Sequence, residues 1–200
     1  DVLHEIFSRL KDLYFGTDIV GRNAYMCNRQ LLWGAATFCQ PKKAGDIRVL
    51  AGFRELSKRL KRKPFPLPRI NESLQKLEKF KCATAIDLSQ GYYHIPLPEE
   101  SQKICAAALP WGKHACKRLA MGIASAPDIF QSIMVGLLGD LEYVLIFLGG
   151  ILILQKEGEA EEGHIQKIEV VLQRLASKGF RASLRDRKST RLTPVTPISR

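Results

Sequence analysis

Apolar and polar positions change their period repeatedly along the chain, and each change marks the edge of an element. Near the start, Leu3, Ile6, Phe7, Leu10 and Leu13 recur at helical spacing. The stretch "GAATFCQPKKAGDIRVLAGF" then reads as two short strands around a Lys-Lys-Ala-Gly-Asp tip, a hairpin with a basic end. After the basic run "RELSKRLKRK", the segment "PFPLPRI" is an extended connector, because a residue before proline is held away from the helical region. Asn71 caps a helix with Ile70, Leu74, Leu77 and Phe80 on one side.

The second half is more regular. "CATAIDLSQGYYHIPL" alternates as a largely buried strand that carries Asp87 in its middle, where a carboxylate is costly without a partner. "ALPWGKHACKRLA" predicts a hairpin around Trp111-Gly112. In "MGIASAPDIFQSIMVGLLGDL", Ser125 is the N-cap, Pro127 sits in the first turn, and Ile129, Phe130, Ile133, Met134, Leu137 and Leu138 form an apolar stripe. "EYVLIFLGGILILQKE" places Gly149-Gly150 as a tight turn between two apolar strands. "GEAEEGHIQKIEVVLQRLASKG" is an amphipathic helix closed by Gly179, and "FRASL" starts one more strand. Helix, strand, hairpin, helix, hairpin, helix and strand in that order predict an α+β fold, an antiparallel sheet with helices on one side.

Composition narrows the function. An apolar share of 46% and a charged share of 26% fit a soluble globular chain. Thirty-one Lys and Arg against twenty Asp and Glu leave a net charge of +11, which favours a polyanion such as nucleic acid as partner. Six of the ten residues 54–63 are basic, which reads either as a solvated helix face or as a phosphate-contacting patch. Cys27, Cys39, Cys82, Cys105 and Cys116 show no short metal or redox spacing and read as reduced and mostly packed. The four histidines are scattered, which argues against a metal role. The longest apolar run, residues 143–154, is about six residues short of a bilayer span. No signal peptide opens the chain, so an intracellular protein is expected, in a cytoplasmic particle or the nucleus.

Residues 186–200 lose every apolar period. "DRKSTRL" looks like one reading frame of a common sequencing-library adapter, and the segment is expected to be adapter read-through and not native. Setting it aside removes one aspartate and four basic residues, taking the charge from +11 to +8, so the basic character survives. The native chain is then expected to continue past residue 185.

Five blocks, in order, carry a resemblance: "QPKKAGDIRVLAGFRELSKRLKRKPFPLPRI", "AIDLSQGYYHIPL", "KRLAMGIASAPDIFQ", "EYVLIFLGGILILQK" and "GFRASL". Over residues 33–185 the chain resembles the reverse transcriptase domain of gypsy-type LTR retrotransposons, part of a pol polyprotein. The resemblance implies a palm sheet carrying the active site over residues 81–185 and a partial fingers region with the basic hairpin over 33–80. It also implies that the thumb is missing; residues 1–32 match only vaguely. Implied partners are an RNA or DNA primer-template and a deoxynucleoside triphosphate, with Mg²⁺ or Mn²⁺ as cofactor.

Nucleotide joining is an in-line displacement in which two divalent cations about 4 Å apart clamp the attacking and leaving oxygens. Two dications that close repel by roughly 15 kcal/mol even at an effective dielectric of about 20, so several carboxylates must converge on them. The resemblance places one at Asp87 and two in the hairpin, after an aromatic and one further residue. Here the hairpin reads Phe147-Leu148-Gly149-Gly150: both carboxylates are replaced, leaving Asp87 as the sole metal-binding side chain. By itself the glycine pair reads as a plain turn.

Other roles carry over singly. Arg48, with Lys42 or Lys43, matches the cations on the incoming triphosphate, or else is merely solvated. Tyr92 matches the residue that screens the sugar 2′ position, or packs in the core. Leu88 would lend a backbone carbonyl to a metal. Gly122 and Gln131 belong to the segment lining the nucleotide, as does Phe130, which reads equally as core. Ala51, Gly52 and Ser57 stand where the family usually has Thr, Asp and Asn, Ala120 where it has Pro, and Cys116 where an aromatic is common. Apart from Ala120, these replacements and the two hairpin glycines are each one A-to-G base change away, which suggests a decaying or edited element copy. The expected protein is an inactive reverse transcriptase fragment. The alternatives are a non-catalytic nucleic-acid-binding remnant and a pseudogene product with no stable fold.

Overall fold

The computed structural model describes residues 26–28, 31–41, 47–66, 80–88, 90–110, 112–182 and 188–191. Within them the chain forms two compact units that interleave in sequence, residues 1–62 with 92–126, and residues 63–91 with 127–200. The fold is α+β, as the alternation of periods predicts.

The first unit holds five strands: β1 (Met26–Asn28), β2 (Ala35–Pro41), β3 (Ile47–Ala51), β5 (Ala106–Leu109) and β6 (Gly112–Cys116). Their order is β1-β6-β5-β2-β3. β2 and β3 form the expected antiparallel hairpin, with Thr37 opposite Ala51 and Pro41 opposite Ile47. β5 and β6 form the other. The sheet is mixed, because β2 runs parallel to β5 through Ala35 opposite Ala107. That junction is made of small residues: Ala106, Ala107 and Ala115 are fully buried, and a Cβ on Gly34 would stand 3.2 Å from the Ala108 nitrogen. The Thr37 hydroxyl seals it, donating to the Ala108 carbonyl at 2.6 Å.

Helix α1 (Arg54–Arg59) follows β3 and buries none of its residues, whereas Phe53 just before it is almost wholly enclosed. Ser57 ties α1 to the loop before residue 126, its hydroxyl accepting the Ala124 N–H at 3.1 Å. Helix α2 (Glu99–Ile104) leads into β5.

The second unit is built on four antiparallel strands, β4 (Phe80–Asp87), β7 (Val144–Phe147), β8 (Gly150–Lys156) and β9 (Lys188–Arg191), in the order β7-β8-β4-β9. Ile151 and Ile153 are fully buried and Val144 and Ile146 nearly so, while Leu145 and Leu152 between them are half-buried, the period-2 signature of a sheet with one covered face. Helix α3 (Ala126–Leu138) contributes Phe130, Met134 and Leu138 to the core, and of its predicted stripe Ile129 is exposed. Helix α4 (Glu161–Ser177) buries His164, Val171 and Leu175.

Gly179 ends α4 as predicted. At φ 75° its N–H reaches the Ala176 carbonyl while Phe180 N–H reaches Leu175, the paired bonds of a Schellman turn, and Phe180 is buried beyond it.

Three expectations change. Phe80 opens strand β4 instead of closing the preceding helix, and the rest of that helix lies outside the described residues. Asp87 is the last residue of β4 and is exposed, so its carboxylate needs no compensating partner. Residues 91–94 form one 3-10 turn instead of continuing a strand. The predicted N-terminal helix, Trp111 and the 42–46 hairpin tip also lie outside the described residues. Cys105 and Cys116 are buried and form no disulfide, with burial pushing Cys105 up to about 11, but Cys39 is exposed.

Candidate active site

β7 and β8 close with Phe147 opposite Gly150, so the two turn residues are Leu148 and Gly149, not the glycine pair. Both have positive φ, 46° and 103°, as a type I′ hairpin turn requires. Placing a leucine in the left-handed region costs about 1–2 kcal/mol, a cost that a turn at Gly149-Gly150 would avoid. Gly150 instead begins β8, and its register partner on β4 is Asp87.

The strained turn is held from the side by α3. Gln131 is fully buried; its Nε2 donates to the Ile146 carbonyl at 3.0 Å, and its Oε1 accepts the Leu148 N–H at 3.0 Å. The neighbouring Phe130 fills the space beneath. Its ring lies 3.6 Å from where a Cβ on Gly149 would stand and 3.0 Å from one on Gly91, and it meets Phe180 edge-on at 6.2 Å. Phe147 and Leu148 remain exposed at the tip.

Asp87, Leu88, Gln131, Gly149 and Gly150 therefore belong to one compact unit, and Arg48, Tyr92 and Gly122 to the other. Leu88 is buried and bridges Ala182. Arg48 pairs with Gln40 through its backbone on β3; the side chain lies outside the described set, as do Lys42 and Lys43. Tyr92 is partly enclosed, and that burial raises its phenol pKa. Gly122, at φ 98°, has no room for a side chain, since a Cβ would stand 2.8 Å from the Ala51 carbonyl oxygen.

Two buried polar residues, Asp128 and His164, join elements of the second unit. Asp128, buried in the first turn of α3, accepts the Phe65 N–H at 3.1 Å and so anchors the proline-rich connector. His164 meets the Thr84 hydroxyl at 2.8 Å, joining α4 to the central strand. A carboxylate early in a helix was a readable signal for Asp128; nothing local distinguishes His164.

The match that decides the family covers residues 40–197, which fit the model "Reverse transcriptase (RNA-dependent DNA polymerase)". The chain belongs to the reverse transcriptase family. Among curated relatives of this domain, the retrovirus-related Pol polyprotein from transposon 297 of Drosophila melanogaster is 29% identical over 159 residues, covering 76% of this chain and 15% of that polyprotein. The transposon Tf2-3 polyprotein of Schizosaccharomyces pombe is 30% identical over 137 residues, covering 68% and 10%. A putative enzymatic polyprotein of Cassava vein mosaic virus is 28% identical over 127 residues, covering 63% and 20%. The chain thus spans a fifth or less of these relatives. Among solved structures, the foamy viral protease-reverse transcriptase dRH in complex with double-stranded DNA superposes with TM-score 0.74 at 23% identity, over 84% of this chain and 29% of that one. The foamy viral protein in complex with RNA/DNA hybrid gives 0.71 at 22%, over 85% and 22%. These two show the fold.

Reverse transcriptases use divalent metal ions, but the side chains in this one do not fit a metal pair. Asp87 is exposed at a strand end, its register partner is a glycine, the turn beside it is Leu-Gly, and no group of three His, Cys, Asp or Glu converges among the described residues.

Proposed function

We propose that this chain is a reverse transcriptase domain fragment of a gypsy-type LTR retrotransposon polyprotein that still engages a primer-template but does not join nucleotides. The observation that carries this reading is the pairing of Asp87 with Gly150: the one remaining carboxylate faces an empty position, and the second missing one falls in the turn. A lone exposed carboxylate cannot offset the repulsion between two dications. Retained binding is supported by the charge of +8 that remains without residues 186–200 and by α1, whose solvent-facing surface carries Arg54, Lys58 and Arg59. Arg48, Lys42, Lys43, Tyr92 and Gly122 keep the nucleotide-facing roles that the family pattern gives them, with an RNA or DNA template and a deoxynucleoside triphosphate as ligands inside the cell. Residues 186–200 are read as adapter read-through on their sequence, although Lys188–Arg191 pair with β4 and the family match reaches residue 197, and a genomic read across that junction checks the assignment.

Primer extension on an RNA template, with Mg²⁺ or Mn²⁺, tests the reading. The chain as it stands gives no product above a blank, and Gly149→Asp with Gly150→Asp restores extension. Product from the unsubstituted chain overturns the proposal, and a silent double variant removes the carboxylates as the cause.

A further inference from the structure

We propose that Gln131 is a positioning residue: its carboxamide acts as the missing neighbouring strand for the tip of β7 and selects the Leu148-Gly149 turn over the locally easier Gly149-Gly150 turn. The inference rests on the reverse transcriptase reading for its purpose, since this turn is where the nucleotide-joining carboxylates would be displayed.

β7 is the edge strand of its sheet. With Phe147 and Gly150 closing the hairpin, Ile146 and Leu148 direct their carbonyl and N–H away from β8, toward the side where no further strand lies among the described residues. On that side the Gln131 amide supplies one acceptor and one donor, at 3.0 Å each, the same pair of groups that a peptide unit of an added strand would offer. The contact also accounts for a conflict within the hairpin. Local preference favours two glycines at the two positive-φ positions, yet a leucine occupies the first of them, and its N–H is the one Gln131 engages. Sliding the turn by one residue would move Leu148 into the closing pair of the ladder and redirect that N–H toward β8, leaving the fully buried Oε1 without this donor. Gln131 therefore determines which residues stand at the tip and which one faces Asp87.

Residue-resolved hydrogen exchange tests the assignment on the chain as it stands, without reference to catalysis. The Leu148 amide should be protected while Gly149, one residue on, exchanges freely; an unprotected Leu148 amide in the unsubstituted chain overturns the proposal before any variant is made. Gln131→Met keeps length and packing but removes both hydrogen bonds, and should lower the Leu148 protection factor about tenfold while Ile151 and Ile153 change little. Equal loss across the sheet, or no change at Leu148, overturns it. Gln131→Glu keeps an acceptor for the Leu148 N–H and loses the donor to the Ile146 carbonyl, so, unlike Gln131→Met, it should retain most of the Leu148 protection. In the Gly149→Asp, Gly150→Asp background, Gln131→Met should reduce any restored primer extension. Should that background show no extension at all, the catalytic reading fails alone, and the exchange data still decide the role of Gln131.

Discussion

Gly150 stands opposite Asp87 in the antiparallel register of β8 and β4, so the two hairpin glycines are not equivalent. Gly150→Asp sets a second carboxylate across the ladder from Asp87, and like charges directly opposite destabilise a pair by roughly 0.2–1 kcal/mol. That cost should shrink as added salt screens the pair, and Mn²⁺ should raise the melting temperature of this variant but not of the parent. Gly149→Asp meets a φ of 103° instead, and should cost about 1–2 kcal/mol at any salt concentration. Denaturant melts at two salt concentrations, with and without Mn²⁺, separate the two.

Two glycine replacements should move stability in opposite directions. Gly122→Ala forces a Cβ to 2.8 Å from the Ala51 carbonyl oxygen at φ 98° and should lose about 2 kcal/mol or more. Gly136→Ala, in α3 with open space around it, should gain about 0.5–1 kcal/mol. Urea unfolding of each variant against the parent measures both.

The His164 imidazole should titrate below its ordinary range. Burial pulls its pKa down; Glu159 pushes it up and Lys167 pulls it down again, with the balance on the lowering side. The folded pKa therefore lies below the unfolded value of about 6.5, so this stabilising contribution is intact above that pH and is lost as pH falls toward the folded pKa. His114, also buried, acts in the same direction. NMR titration of the imidazoles should show the depressed midpoint, and His164→Gln should flatten the decline in unfolding free energy between pH 7 and 5. Thr84→Val, which removes the ring's hydroxyl partner, should cost about 1–2 kcal/mol.

Binding to an RNA-DNA hybrid should be steeply salt-dependent, and the basic run should set part of the slope. Replacing Lys58, Arg59 and Lys61 with Gln should flatten the plot of log affinity against log salt by about two units, without dependence on template sequence. Lys58 is ion-paired with Glu55 at 2.7 Å, but both side chains are well exposed and the pair is weak. Filter binding across a salt series provides the slope.

Much of this architecture is legible in the sequence. The hairpins at β2-β3, β5-β6 and β7-β8 follow from alternation, and α3 and α4 from helical spacing with proline near the start of one and glycine at the end of the other. The position of the β7-β8 turn is not legible, and the reason is geometric. Moving the turn by one residue shifts the ladder register by two, which keeps Ile146, Ile151 and Ile153 on the covered face either way. Only a partner 15 residues upstream, Gln131, distinguishes the alternatives, and sequence spacing gives no sign of it. The mixed sheet is hidden for a similar reason, since the parallel contact of Ala35 with Ala107 joins distant segments through side chains too small to leave a pattern. The sequence puts Asp87 mid-strand because apolar and small residues flank it on both sides, but Gln90 and the 3-10 turn after it break the strand there.

The pairing of β4 with β8 also governs when the second unit can begin to fold. Each residue of β4 waits for a partner roughly seventy positions later, so the strand leaves the ribosome well before its mate exists. During that interval Ala83, Ile86 and Leu88, all buried in the finished structure, are open to other nascent chains. A chaperone that shields newly made strands should therefore raise the soluble yield of this chain more than any change at its surface.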